Sequence, residues 1–123
     1  MTLTEFLLAR IDEDETMART AVSPWRNEWT SEDVGVTMHI ERHDPARVLA
    51  ECKARRRIVA AFEDERIRKD IYNRGYDDGL LTTSDDMRQR WSSNARWAGL
   101  EIAARALALP YADHPDYDET WRP

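Results

Sequence analysis

The chain has 123 residues, of which 34% are charged, and a net charge of −6. This length fits a single domain, residues 1–123, with enough chain to bury a core. The lone cysteine, Cys52, excludes an intramolecular disulfide and any Cys/His zinc motif. No signal peptide precedes the first helix pattern, and no run of about 18 apolar residues occurs. We therefore expect a soluble cytoplasmic protein without a membrane partner.

Charge is distributed unevenly along the chain. Residues 1–44 carry a net charge of −6, whereas residues 45–74 carry +4. This arrangement favours pairing within the chain or between subunits over a site for a polyanion. Acids also lie three or four residues from bases within the basic segment, as expected of a solvated helix face. Nucleic acid is therefore not an expected partner.

The first element is an amphipathic helix of about five turns. Thr2 and Glu5 have the spacing of a capping box, and Ser23-Pro24 ends the pattern. The acidic cluster from Asp12 to Glu15 falls mainly on the exposed side. The apolar stripe comprises Leu3, Phe6, Leu7, Ile11, Met17, Ala18 and Ala21.

After the first helix, the spacing of the apolar residues changes from a helical repeat to an alternation of every second residue. Residues 25–29 and 34–40 alternate between apolar and polar types, with turn residues between them. Alternation of this kind predicts two short antiparallel strands. The sequence therefore predicts a two-stranded ribbon and a mainly α, α+β fold.

Two long helices follow, which we expect to pack antiparallel. Asp44-Pro45 starts the first of them, and Asn73-Arg74-Gly75 is its first breaker. Ser84 is the predicted cap of the next helix, which Pro110 ends. That helix has the clearest apolar stripe of the chain, formed by Met87, Trp91, Ala95, Ala98, Ile102, Ala106 and Leu109. Residues 111–123 are rich in aromatics, so we expect an ordered tail lying across the helices.

Three stretches of the sequence resemble a family of small uncharacterised proteins from actinobacteria and their phages. These stretches are residues 4–15 with Pro24-Trp25, residues 39–49, and residues 107–117 with Trp121-Arg122-Pro123. Because the family is a domain of unknown function, the resemblance implies no catalytic residue and no cofactor.

The histidines suggest an alternative function based on a divalent metal. His39 and His43 are four residues apart, but both precede the helix that starts at Pro45. On a strand they would lie about 13 Å apart, too far for one ion without a bend. Glu41 and His114 would have to complete such a site. The competing interpretation is that these side chains pack at the helix entrance and in a turn.

Candidate partner-binding residues lie away from the main stripe. Trp97 and Leu100 point to a second surface of the last helix, which either the tail through Trp121 or another chain covers. Aromatic and arginine side chains are common anchors of interfaces, which adds Arg56 and Arg57 to the candidates.

No nucleophile or phosphate-binding motif is present, so the sequence favours a non-enzymatic protein. We expect an interaction or regulatory protein of an actinobacterium or its phage, acting on a protein partner or as a homodimer. The alternative is a metal-binding domain or a small metal-dependent hydrolase that uses histidines near residues 39–43 and 114.

Overall fold

The computed structural model describes residues 1–21 and 44–123. This part of the chain contains three α-helices: α1 (Leu3–Ala21), α2 (Pro45–Asp77) and α3 (Ser84–Ala108). Two 3₁₀ turns follow at Leu109–Tyr111 and Glu119–Trp121.

The described residues are 82% helical and contain no strand, so the α+β class is wrong for them and the all-α class replaces it. The distribution of sequence patterns explains why the described residues are all helical. Strand-like alternation is confined to residues 25–40, whereas the rest of the chain has helix caps and pairs spaced three or four residues apart. The predicted two-stranded ribbon itself lies outside the described residues.

The first two helix starts are those that the sequence predicts. The Thr2 hydroxyl accepts from the Glu5 N–H at 3.2 Å, and the Glu5 carboxylate accepts from the Thr2 N–H at 2.7 Å. This reciprocal pair is a capping box. At α2, the Asp44 carboxylate accepts from the Ala46 N–H at 3.2 Å. Local polar groups therefore fix where both helices begin.

The boundaries between α2 and α3 are shifted from their predicted positions. Helix α2 continues past Gly75 to Asp77, and Gly79 adopts the left-handed conformation with φ 70°. Glycine is the residue that takes this conformation without a steric cost, so the chain leaves the helix there. Thr83 is the N-cap of α3 in place of Ser84, in a capping box with Asp86.

The chain divides into two compact units, which we describe separately. The first comprises Met1–Leu7 and Arg57–Pro123, and the second comprises Leu8–Arg56.

In the first unit, α2 and α3 pack antiparallel, as predicted. Phe62 contacts Trp97 near one end of the pair, with ring centroids 6.4 Å apart. Near the other end, the Tyr72 hydroxyl donates to Gln89 at 2.5 Å. As the residue number on α2 increases from 62 to 72, the residue number of the partner on α3 decreases from 97 to 89. The two helices therefore run in opposite directions.

The C-terminal tail is ordered and surrounds Phe6 of α1. This ring is 0% exposed, and the nearest tail ring is Trp121, with the two centroids 5.0 Å apart. The Arg105 guanidinium also donates to the Thr120 carbonyl at 2.8 Å, which ties the tail to α3. The other rings around Phe6 are Tyr111, His114 and Tyr117, each in an edge-to-face arrangement.

The second unit is joined by ion pairs between α1 and α2. Arg55 lies 3.2 Å from Asp14, and Arg56 contacts both Glu15, at 2.9 Å, and Asp12. The Arg56 guanidinium lowers the pKa of the Glu15 carboxyl through its hydrogen bond. Acidic side chains of residues 1–44 therefore pair with basic side chains of residues 45–74 within the same chain. Part of the acidic cluster is for this reason less exposed than predicted, since the Glu15 side chain is only 17% exposed.

Cys52 also belongs to the second unit. It is a free cysteine with 0% exposure. Burial raises the pKa of its thiol, because the thiolate would lose hydration there. Cys52 is therefore a packing residue.

Candidate interaction surface

Helix α3 has apolar residues on two opposite sides. Successive residues of a helix are rotated by about 100°, so positions 93, 97, 100, 104 and 108 share one side. Ser93, Ala104 and Ala108 on that side are buried. We call this side the inner face. The other side, which we call the outer face, comprises Met87, Trp91, Ala95, Ala98, Ile102, Ala106 and Leu109.

The outer face is exposed in the structure except at Met87, which is half-buried. Trp91 is 77% exposed and Ile102 is 69% exposed, and Ala95 and Ala98 between them are also exposed. The stripe that looked strongest in the sequence is therefore on the outside of the first unit. Trp97 and Leu100, which the sequence placed on a second surface, are half-buried on the inner side.

Small and polar residues explain why the inner face is the packed one. Ser93 is 0% exposed, and its hydroxyl donates to the Glu65 carboxylate at 2.6 Å. Arg68 lies 3.0 Å and Arg96 3.4 Å from the same carboxylate, which is itself largely buried. The Ser93 hydrogen bond lowers the pKa of Glu65, and the two arginines add to this effect.

The Glu65–Ser93 pair joins α2 to α3 and has no access to a substrate. A serine nucleophile must contact its substrate, whereas the Ser93 side chain is enclosed between the two helices. The pair therefore acts as a structural contact that fixes the register of the helices.

Trp97 is covered by α2. Its ring stacks on Phe62 at an interplanar angle of 23°, and the Lys69 ammonium lies 3.7 Å from the ring centroid. The sequence left two alternatives for this side of α3, the tail or another chain, and in the structure α2 occupies it. A role for Trp97 and Leu100 in partner binding stays a prediction.

The remaining partner candidates have different surroundings. Trp121 contacts Phe6 and Tyr117 within the aromatic cluster. Arg56 is held by acidic residues of α1, whereas Arg57 is exposed on α2. A role for these three residues in partner binding stays a prediction.

Of the four metal-ligand candidates, His114 alone lies within the described residues. His39, Glu41 and His43 lie outside them. The His114 Nδ1 atom accepts from the Asp116 N–H at 3.1 Å, and the ring packs edge-to-face on Phe6. Within residues 1–21 and 44–123, no group of three His, Cys, Asp or Glu side chains is placed to hold a metal ion.

A cleft of about 530 Å³ lies in the first unit between the start of α1 and α2. Its acidic side chains are already hydrogen-bonded: Glu63 accepts from Thr4 at 3.1 Å and from Arg66 at 2.5 Å. Glu5, which also lines the cleft, caps α1. Since these polar groups have partners within the protein, the cleft is a weaker candidate for ligand binding than the outer face.

A second apolar area lies on the outer side of α2. Ile71 is 63% exposed and Leu80 is 73% exposed beside a groove of about 370 Å³. The charged residues Arg74 and Asp78 also line this groove. The outer face of α3 is also bordered by charge, at Arg88 and Arg105, but it exposes the larger side chain of Trp91.

The described residues thus form an all-α protein in which α3 presents an exposed apolar face. The chain belongs to a family of unknown function, DUF6221, whose sequence model matches residues 1–123. The resemblance to a family of unknown function is therefore confirmed. Searches of curated proteins and of solved structures found no match. None of the helices in the described part of the chain is long and apolar enough to cross a membrane.

Proposed function

We infer that the protein is a non-enzymatic interaction or regulatory protein, which acts by binding a protein partner or a second copy of itself. The observation that supports this function is the set of exposed apolar residues on the outer face of α3. Trp91 is 77% exposed and Ile102 is 69% exposed, and the exposed Ala95 and Ala98 lie between them. Exposed apolar patches bounded by polar residues are typical of protein interaction sites.

The two-sided pattern of α3 adds to this proposal. A surface helix normally directs its apolar residues to the core and its polar residues to water. Here the inner face is buried, while Trp91 and Ile102 of the outer face are exposed. Binding at the outer face would remove Trp91 and Ile102 from water, which is favourable by roughly 25 cal/mol per Å² of apolar surface.

Source and compartment are part of the same proposal. Arginine outnumbers lysine by sixteen to two, and alanine is abundant, as in proteins from GC-rich genomes such as those of actinobacteria and their phages. The single free cysteine agrees with the reducing cytoplasm.

Photo-crosslinking in the native host tests the proposal. A photoreactive phenylalanine analogue is introduced at Ala98 on the outer face, and in a second variant at Ala60, an exposed alanine of α2. We expect a discrete protein adduct from the Ala98 variant and a much weaker one from the Ala60 variant.

The mass of the adduct separates a second copy from a different protein. Absence of an adduct at Ala98 would refute the proposal for the outer face. Adducts only at Ala60 would move the docking surface to α2, one helical turn from Arg57.

A further inference from the structure

Arg90 of α3 is held in one orientation by residues of the first unit. Its Nε atom donates to the side-chain carbonyl of Asn73 at 2.9 Å, and its guanidinium carbon lies 4.1 Å from the centroid of the Tyr76 ring. Asn94 in turn fixes Asn73, because each of the two amides donates to the other, at 3.2 Å and 3.3 Å. The orientation of the guanidinium is therefore set before any ligand binds.

This guanidinium has no acidic partner within the part of the chain that the structure describes. Three arginines of residues 1–21 and 44–123 have no described carboxylate within 4 Å, namely Arg57, Arg74 and Arg90, whereas the others are paired. Arg57 and Arg74 are exposed, but Arg90 is half-buried. Burial removes part of the hydration of a charge, so a partner of opposite charge is favourable there.

The atoms of Arg90 that remain available define how a ligand would approach it. Asn73 occupies Nε, and Tyr76 covers one face of the guanidinium plane. The two terminal nitrogens, Nη1 and Nη2, have no hydrogen-bond partner among the described residues, and neither is a buried atom. They form the end of a planar fork whose spacing matches the two oxygens of a carboxylate. Tyr76 beside them is 45% exposed, so this flank of the helix pair is open to water.

We propose that Arg90 is the anchor of a carboxylate-binding site on the flank of the α2–α3 pair that it forms with Asn73 and Tyr76. A carboxylate has one negative charge, which the single guanidinium matches. A phosphate monoester has nearly two at pH 7 and is usually bound by a cluster of cations. Lys69, one helical turn from Asn73, is engaged elsewhere, because its ammonium lies 3.7 Å from the centroid of the Trp97 ring.

The carboxylate comes from a free organic acid or from an acidic side chain of a protein. Both ligands use the same fork, and neither has to order the Arg90 side chain on binding, because Asn73 and Tyr76 already do so. A single charged fork in contact with water binds weakly, so we expect half-saturation in the millimolar range.

Titration of the full chain with sodium acetate, followed by NMR of the arginine side chains, tests this site. The Arg90 Nε–H should give a visible signal, because its hydrogen bond to Asn73 slows exchange with water. We expect this signal to shift and to saturate in the millimolar range. Sodium chloride at the same ionic strength should not reproduce the shift, because screening does not depend on the shape of the anion.

Arg90→Lys is the test variant, because it keeps the charge but removes the fork. The Asn94 side-chain amide, which donates to Asn73, serves as the reporter in the variants. Loss of one of two hydrogen bonds should raise the half-saturating concentration by about tenfold. The matched control is Arg74→Gln, an exposed arginine of α2 that also lacks a described acid within 4 Å, and it should stay within about twofold of the unsubstituted protein.

A second titration separates the two sources of the carboxylate. The probe is a short peptide with blocked ends and one glutamate. Tighter binding of this peptide than of acetate supports an acidic side chain of a protein, and the reverse order supports a free organic acid.

Three results would overturn the proposal. They are the absence of saturation up to about 200 mM acetate, a shift that sodium chloride reproduces, and equal weakening by Arg90→Lys and Arg74→Gln. Tighter binding of inorganic phosphate than of both carboxylate probes would also refute the assignment to a carboxylate. This site does not rest on the outer face of α3, so an Ala98 adduct without acetate binding would refute the site and leave the proposed function intact.

Discussion

Replacing Ser93 with alanine removes the hydroxyl that joins α3 to the buried Glu65 carboxylate. The bond is 2.6 Å long, and Ser93 is 0% exposed. A hydrogen bond to a charged group contributes about 1.5–3 kcal/mol, and water cannot replace the donor in an enclosed site. We expect Ser93→Ala to lower the free energy of unfolding by about 2 kcal/mol at pH 7. For a chain of this length, Tm should fall by roughly 6–10 °C.

Urea denaturation followed by circular dichroism measures this change, and the neighbouring Ser92 provides the control. Ser92 is on the same helix but exposed. Ser92→Ala should therefore stay within about 0.5 kcal/mol of the unsubstituted protein. Equal effects of the two substitutions would refute the assignment of the Glu65–Ser93 bond as a stabilising contact.

The pH dependence gives a second check on the same pair. The pKa of Glu65 is lowered in the folded protein, chiefly by the Ser93 hydrogen bond. Its contribution to stability is therefore complete above the unfolded pKa of about 4.3 and is lost as the pH falls through the lower folded value. The difference between Ser93→Ala and the unsubstituted protein should shrink from pH 6 to pH 3. A difference that does not change over this interval would contradict the role of the charged carboxylate.

Three further substitutions test the packing, a cap and the ion pairs. Phe6→Ala should lower the free energy of unfolding by about 3–5 kcal/mol, because the Phe6 ring is fully buried among aromatic residues of the tail. It should also make the tail susceptible to proteolysis, and a tail that stays intact under protease would contradict this. Thr83→Ala should cost about 1 kcal/mol in urea denaturation by removing the α3 capping box, whereas Thr82→Ala, outside the cap, should cost less. Arg56→Ala should lower Tm more than Arg57→Ala at low salt, and 1 M NaCl should reduce this difference, because salt screens the pairs with α1; a difference insensitive to salt would count against them.

The starts of α1 and α2 could be predicted because their signals are local, whereas the cap of α3 is one residue earlier than predicted. The Thr2 and Glu5 side chains that cap α1 are three residues apart, and Asp44 directly precedes α2. The end of α2 was harder, because Gly75 lies in an ordinary helical conformation while Gly79 takes the positive φ. The presence of a glycine in the sequence does not indicate which conformation it adopts.

The orientation of α3 could not be predicted from its pattern. Both sides of the helix are apolar, and the larger stripe with Trp91 and Ile102 looked like the natural core side. The packed side is instead marked by Ser93, a residue type that is mostly exposed in proteins. Its partner Glu65 is 28 positions away, so no local signal connected the two.

The aromatic tail shows a similar division between what was and was not predictable. Its composition predicted order, since Tyr117 and Trp121 carry large apolar surfaces. The ring that they surround, Phe6, belongs to the other end of the sequence. Pairing over such separations depends on the tertiary arrangement of the helices, which periodicity does not determine.

The alkylation rate of the buried Cys52 thiol reports how often the helices of the second unit open. This thiol is the single sulfhydryl of the chain, and its raised pKa keeps it in the protonated, unreactive form. An alkylating reagent can therefore modify it only when the surrounding helices open. The rate of alkylation, compared with the rate of global unfolding, would distinguish local opening near residue 52 from loss of the whole fold.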